Sequence, residues 1–191
     1  VKRIAILFAV VLSAGCATSV AAPVDLLSGL GAMCGNAFEG RIVRTPVPAD
    51  AAFAEKRLVM HVRECSRDAV RIPFHVGDDR SRTWVLTRTA NGYRLKHDHR
   101  HEDGSEDKVT QYGGDSVTVL TAERQEFPAD AFTKDLLSRE GNVAGMENVW
   151  AVELRDGLFA YELRRPGRFF RVEFDLTERV PEPAAPWGSA D

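Results

Sequence analysis

The chain has 191 residues, with 25 Lys and Arg against 28 Asp and Glu, a formal net charge of −3 and a sequence pI of about 6.0. With no basic excess to neutralise phosphates, nucleic acid is not an expected partner. No stretch reaches the ~20 consecutive apolar residues of a transmembrane helix, and the length suits one domain with a real core.

Lys2-Arg3 and the apolar run Ile4 to Leu12 have the basic and hydrophobic regions of an export signal, here residues 1–16. Leu12-Ser13-Ala14-Gly15-Cys16 resembles a bacterial lipobox. That resemblance implies lipidation of Cys16 and, because Ala17 follows it, a periplasm-facing anchor at the outer membrane. The alternative is ordinary signal cleavage between Ala17 and Ala22, which leaves a soluble periplasmic or secreted protein.

Within residues 17–36, Leu26, Leu27, Leu30 and Met33 recur at helical spacing and predict a short helix in Val24 to Met33. Strands are predicted at Phe38–Arg44 and Arg57–Glu64. Cys34 precedes the first and Cys65 ends the second, so an antiparallel hairpin brings them together. A disulfide there suits an oxidising compartment and contributes about 3 kcal/mol.

The next strand alternates Val70, Ile72, Phe74 and Val76 with Arg71, Pro73 and His75. By the same alternation His61 and His75 are expected outside, away from the apolar face. Arg82–Thr89 carries Trp84 and Leu86 on one side, and Asn91-Gly92 predicts a tight hairpin into Tyr93–His101. Asp103-Gly104 turns into Lys108–Tyr112, and Gly113-Gly114-Asp115 into Val117–Glu126. Pro128 opens a helix near 129–140, with Phe132, Leu136 and Leu137 as its stripe and Gly141 as C-cap. Strands at Asn148–Leu154, Leu158–Arg165 and Arg168–Leu176 complete a domain over 37–177, and the Pro- and Ala-rich 178–191 is expected to be disordered.

The predicted class is all-β: about ten antiparallel strands in an up-and-down barrel, with a short N-terminal helix and one later helix. A two-sheet sandwich is the rival. Ala37-Phe38-Glu39-Gly40-Arg41 resembles the small-aromatic-x-Gly opening of a lipocalin's first strand, and the strand order is similar to that of the calycin group. Lys96–Asp107 and Arg164–Thr177 are similar to uncharacterised bacterial secreted and lipoprotein sequences, a resemblance that implies no activity.

Three of the five histidines alternate in one strand. Period two puts Tyr93, Leu95, His97, His99 and His101 on one face, and Arg94, Lys96, Asp98 and Arg100 on the solvated other. One expectation is a cavity for a small apolar or amphipathic ligand, haem among the candidates, contacted by His97, His99, Tyr93 and Trp84. A second is a divalent transition metal such as zinc or copper on His97, His99 and His101. Within that second case, Glu102 is the candidate base of a metal-assisted hydrolase. A third is a filled barrel with a structural or accessory role in the envelope. His97 and Asp98 point to opposite faces, and no nucleophile elbow, His-Glu-x-x-His helix or phosphate loop is present, so no catalytic residue is assigned. Arg164, Arg165, Arg168 and Arg171, and the acidic Glu102, Asp103, Glu106 and Asp107, are expected to be solvated turn residues.

Overall fold

Apolar residues at every second position are built into a single antiparallel meander. The computed structural model describes residues 25–43, 47–117 and 123–189. The expected export signal, Cys16 and the alternative cleavage site lie outside the described residues, as do 118–122 of the predicted Val117–Glu126 strand.

A short helix α1 (Leu26–Gly31) leads into β1 (Ala37–Ile42). After a 3₁₀ turn at Pro48–Asp50 and the one-turn α2 (Ala51–Ala54) come β2 (Leu58–His61), β3 (Glu64–Cys65) and β4 (Ala69–Val76). The long β5 (Asp79–Thr89) and β6 (Gly92–His99) form the hairpin predicted at Asn91-Gly92. Then follow β7 (Tyr112–Asp115), β8 (Arg124–Pro128), α3 (Ala131–Arg139), β9 (Val149–Arg155), β10 (Leu158–Arg165) and β11 (Arg168–Val180). The sheet order is β7-β6-β5-β4-β2-β1-β11-β10-β9-β8, with β3 beside β4, so the first and last strands pair and the barrel is nearly closed.

The remaining seam lies between β7 and β8. Gly114 allows these strands to approach, because a Cβ on it would lie 1.9 Å from the Pro128 carbonyl oxygen; a Cβ on Gly113 would lie 1.9 Å from the Leu95 carbonyl oxygen of β6, on the other side of β7. Asp130 donates its amide to the Gly113 carbonyl, and the Thr133 hydroxyl both donates to that carbonyl and accepts from the Gly113 amide at 2.7 Å. Gly113-Gly114-Asp115 is therefore strand, not the turn expected from composition, and the expected strand at Lys108–Tyr112 shifts to Tyr112–Asp115. Pro128 likewise ends β8, and Asp130 caps α3 by accepting from the Thr133 amide.

One end of the barrel is plugged. Leu26, Leu27 and Leu30 of α1 are buried in the core, and Asp25 accepts from the Tyr93 hydroxyl at 2.5 Å while pairing with Arg88. The Cys34–Cys65 disulfide, with Cα atoms 6.1 Å apart, fastens the chain after this plug to β3.

Outside, the charged residues are organised rather than simply solvated. Asp98, 6% exposed, lies between Arg71 at 2.7 Å and Arg100 at 2.8 Å. Glu162 lies under Arg124 and Arg171. These carboxylates titrate below their ordinary range because the guanidinium bonds outweigh the effect of burial.

Composition misleads at the C-terminus. Strand β11 continues to Val180, and the following segment lies across the outer face, where Trp187 donates its amide to the Arg80 carbonyl and Arg80 donates to that of Ala185. His61 and His75 do face outward, as expected, but both are buried.

Candidate functional site: an aromatic cavity at the barrel mouth

The end opposite the plug is open. From Tyr93 to His99 is six residues, roughly 20 Å along a strand. Tyr93 therefore belongs to the plug, and His97 and His99 belong to the mouth. A cavity of about 230 Å³ opens there, with Trp84, His97, His99, Tyr112, Trp150 and Tyr161 among its lining residues.

Its floor is a stack built from strands on opposite sides of the barrel. The Trp84 ring of β5 lies 4.3 Å from that of Tyr161 of β10 with planes 15° apart, and Phe74 stacks on Trp84 at 4.6 Å. On the wall, His97 stacks against Tyr112 at 4.4 Å. The period of two along each strand is what turns these rings inward.

Hydrogen bonds fix the protonation of His97. Its Nδ1 is 3.0 Å from the Tyr112 carbonyl oxygen, which can only accept, so Nδ1 carries the proton. Its Nε2 then accepts from the Tyr161 hydroxyl at 2.7 Å. Burial holds His97 neutral, with its pKa down at about 3, and lowers His99 to about 4. The same burial pushes Tyr112 up to about 12 and raises Tyr161 well above its ordinary value. The inner cavity is thus aromatic, neutral and already hydrogen-bonded.

The rim is different. Arg82, Arg165 and Arg168 line the cavity together with Asp50 and Asp107. Arg168 is paired with the fully buried Asp50, and Arg82 with Asp79 at 2.5 Å. Arg165 donates to the Asn148 side-chain oxygen at 3.1 Å. The four arginines around Pro166-Gly167 therefore divide by strand alternation. Arg164 and Arg171 meet outer-face carboxylates at Glu126 and Glu153, whereas Arg165 and Arg168 turn to the mouth. The expectation that all four are solvated turn residues is corrected for this second pair and for Arg171, a β11 residue only 13% exposed among Glu153, Glu162 and Glu173.

The expected residues are only partly brought together. His97, His99 and Trp84 line the cavity, whereas Tyr93 is held by Asp25 at the plug. His101 follows the end of β6, and its side chain is 55% exposed beside Asp107. The three-histidine set is not assembled: among the described residues no group of three or more His, Cys, Asp or Glu side chains could hold a metal ion. The one lone pair that His97 could offer a metal is already engaged by Tyr161.

Tyr161, Arg82, Arg165 and Arg168 were not legible as cavity residues. Each lies in a strand or turn whose neighbours across the barrel are far away in sequence. Compared with known proteins, the chain matches no family model, no curated protein and no solved structure.

Proposed function

We propose that this is an exported envelope protein that binds a small, planar, mostly apolar ligand in the mouth of its barrel. The observation that carries this is the 230 Å³ opening above the Trp84–Tyr161 stack, in a barrel whose other end is plugged. A cavity of about 150 Å³ suffices for benzene, so this one suits a single ring with a short substituent. Haem is too large to be enclosed in it. His97, His99 and Trp84 would contact the guest, and the polar atoms of the lining would orient it.

Export and lipid anchoring through Cys16 rest on the basic and apolar opening of the chain, and the Cys34–Cys65 bond is consistent with an oxidising compartment. Kinship with the calycins rests on the resemblance at Ala37–Arg41 and on the up-and-down order of the strands.

The test is a titration of intrinsic tryptophan fluorescence with single-ring aromatic compounds, since Trp84 and Trp150 both line the cavity. Saturable quenching is expected, and it should be lost when Leu163→Trp fills the cavity. If no single-ring compound gives a saturable change in the wild-type protein, the barrel is a filled accessory module instead.

A further inference from the structure

We propose that the ligand is a small aromatic monocarboxylate whose ring enters the cavity and whose carboxylate is received by Arg165 at the rim. This rests on the ligand-binding reading above and adds the chemical class.

Charge and polarity are segregated along the cavity. Among the rings, His97, His99, Tyr112 and Tyr161 are neutral at ordinary pH, because burial disfavours imidazolium and phenolate alike. A charged group on the ligand would be penalised there. At the rim Arg82, Arg165 and Arg168 lie with Asp50 and Asp107, and Asp79 is bonded to Arg82, so charge gathers here rather than among the rings.

One of the three guanidiniums has no carboxylate partner of its own. Asp50 is bonded to Arg168, and Asp79 to Arg82. Among the described residues no carboxylate lies within 4.0 Å of the Arg165 guanidinium, whose hydrogen-bond partner is the neutral Asn148 amide oxygen. Arg165 also faces a like charge: it is directly opposite Arg168 in the β10–β11 register. Like charges placed opposite one another across strands are destabilising. Burial and Arg168 both disfavour the charged form of Arg165, as its lowered pKa records. The attraction of an incoming anion offsets both effects, as Asp50 already does in part.

The chemistry of the anion follows from shape and charge. A guanidinium presents a planar fork that matches the two oxygens of a carboxylate. A single guanidinium without a carboxylate partner, with Asp107 also at the rim, fits a monoanion better than a phosphate dianion. The remaining volume admits one ring and a short linker, the dimensions of benzoate or cinnamate.

The experiment is calorimetric titration of wild-type protein and Arg165→Gln with cinnamate and with its neutral isostere cinnamamide. The acid should bind wild type about tenfold or more tightly than the amide, as expected for one charge-assisted pair. Arg165→Gln should erase that preference while still binding the amide. If acid and amide bind wild type equally, the anion assignment is overturned and the cavity reading stands. If neither binds, both are overturned. Should Arg165→Gln fail to fold, Arg165→Lys keeps the charge without the fork. The acid–amide ratio in wild type, falling as salt is raised, then decides the matter.

Discussion

Trp84 and Tyr161 stack across the barrel interior, 4.3 Å apart, although they come from strands separated by 77 positions in the chain. The contact closes the core below and roofs it above, so the same two rings serve as ceiling of the packed interior and floor of the cavity. Tyr161 also donates to His97, which makes it the hinge between packing and site.

Tyr161→Phe preserves the stack and removes only the hydroxyl. His97 Nε2 is then a buried acceptor without its donor, a loss of about 1–3 kcal/mol of stability. Urea denaturation should show a lower midpoint with an unchanged slope. An unchanged midpoint would mean that water replaces the hydroxyl at no cost and that the cavity reaches deeper than Tyr161.

Much of the fold was legible because period two is a strong signal in this chain. In β6, the order Tyr93, Leu95, His97 correctly placed the apolar face, and Asn91-Gly92 correctly placed the turn. The disulfide was legible for the same reason, since hairpin geometry fixes which ends meet. Failures came where tertiary context reversed a local preference. Gly113 and Gly114 look like a turn in isolation, but the barrel needs them as strand residues because only glycine fits against β6 at Gly113 and against β8 at Gly114. Pro- and Ala-rich residues 181–189 look disordered, but they cover the outer face over His75. The site was half legible: strand alternation pointed His97 and His99 inward. It could not tell that His101 leaves the strand, nor which arginines of the Pro166-Gly167 turn reach the mouth.

The two glycines of β7 give a sharp prediction. Gly113→Ala places a Cβ in contact with the Leu95 carbonyl at a positive φ of 149°, and Gly114→Ala places one against the Pro128 carbonyl. Neither neighbour is the end of a flexible side chain, so backbone must move. Each variant should lose about 3 kcal/mol or more, or fail to fold, as strained and overpacked sites do. Gly31→Ala is the control, because nothing lies within 4 Å of its Cβ position and its φ is not positive. It should be neutral or gain up to about 1 kcal/mol. Thermal melts of the three variants test the pattern, and a Gly114 variant as stable as the control would place the closure elsewhere.

Stability should also fall as pH drops below the ordinary histidine range. Burial lowers His97 to about 3 and His75 and His99 to about 4, from an ordinary value of 6.5. Above 6.5 both folded and unfolded chains hold these groups neutral, and they contribute no pH dependence. Below it the unfolded chain takes up protons that the folded chain refuses, so stability declines until the folded pKa values are reached. Each fully buried imidazole contributes about 1.4 kcal/mol per pH unit in that window. The lowered carboxylates, such as Asp98 and Asp130, act at lower pH, since their ordinary value is 3.8. A urea midpoint that is flat between about pH 7 and pH 5 would contradict the burial of these side chains.

The C-terminal segment sets one of those values. His75 is 4% exposed, its Nε2 has no hydrogen-bond partner, and Pro183, Ala184 and Trp187 lie around the same groove. Desolvation is the largest cause of its low pKa, ahead of the charges on His61, Arg80 and Arg63. A chain ending after Pro181 loses Glu182, the packing of Trp187, and the bonds between Arg80 and this segment. Water then reaches His75, whose pKa should rise from about 4 toward 6.5. With its folded value nearer the unfolded one, this group's share of the acid destabilisation shrinks, and the urea midpoint of the shortened protein should vary less with pH. Its stability at neutral pH should nonetheless be lower, because apolar area is uncovered. Imidazole proton shifts followed by NMR through the titration separate the two effects. A His75 titration unchanged by the truncation would show that the strands, rather than the segment lying over them, keep it dry.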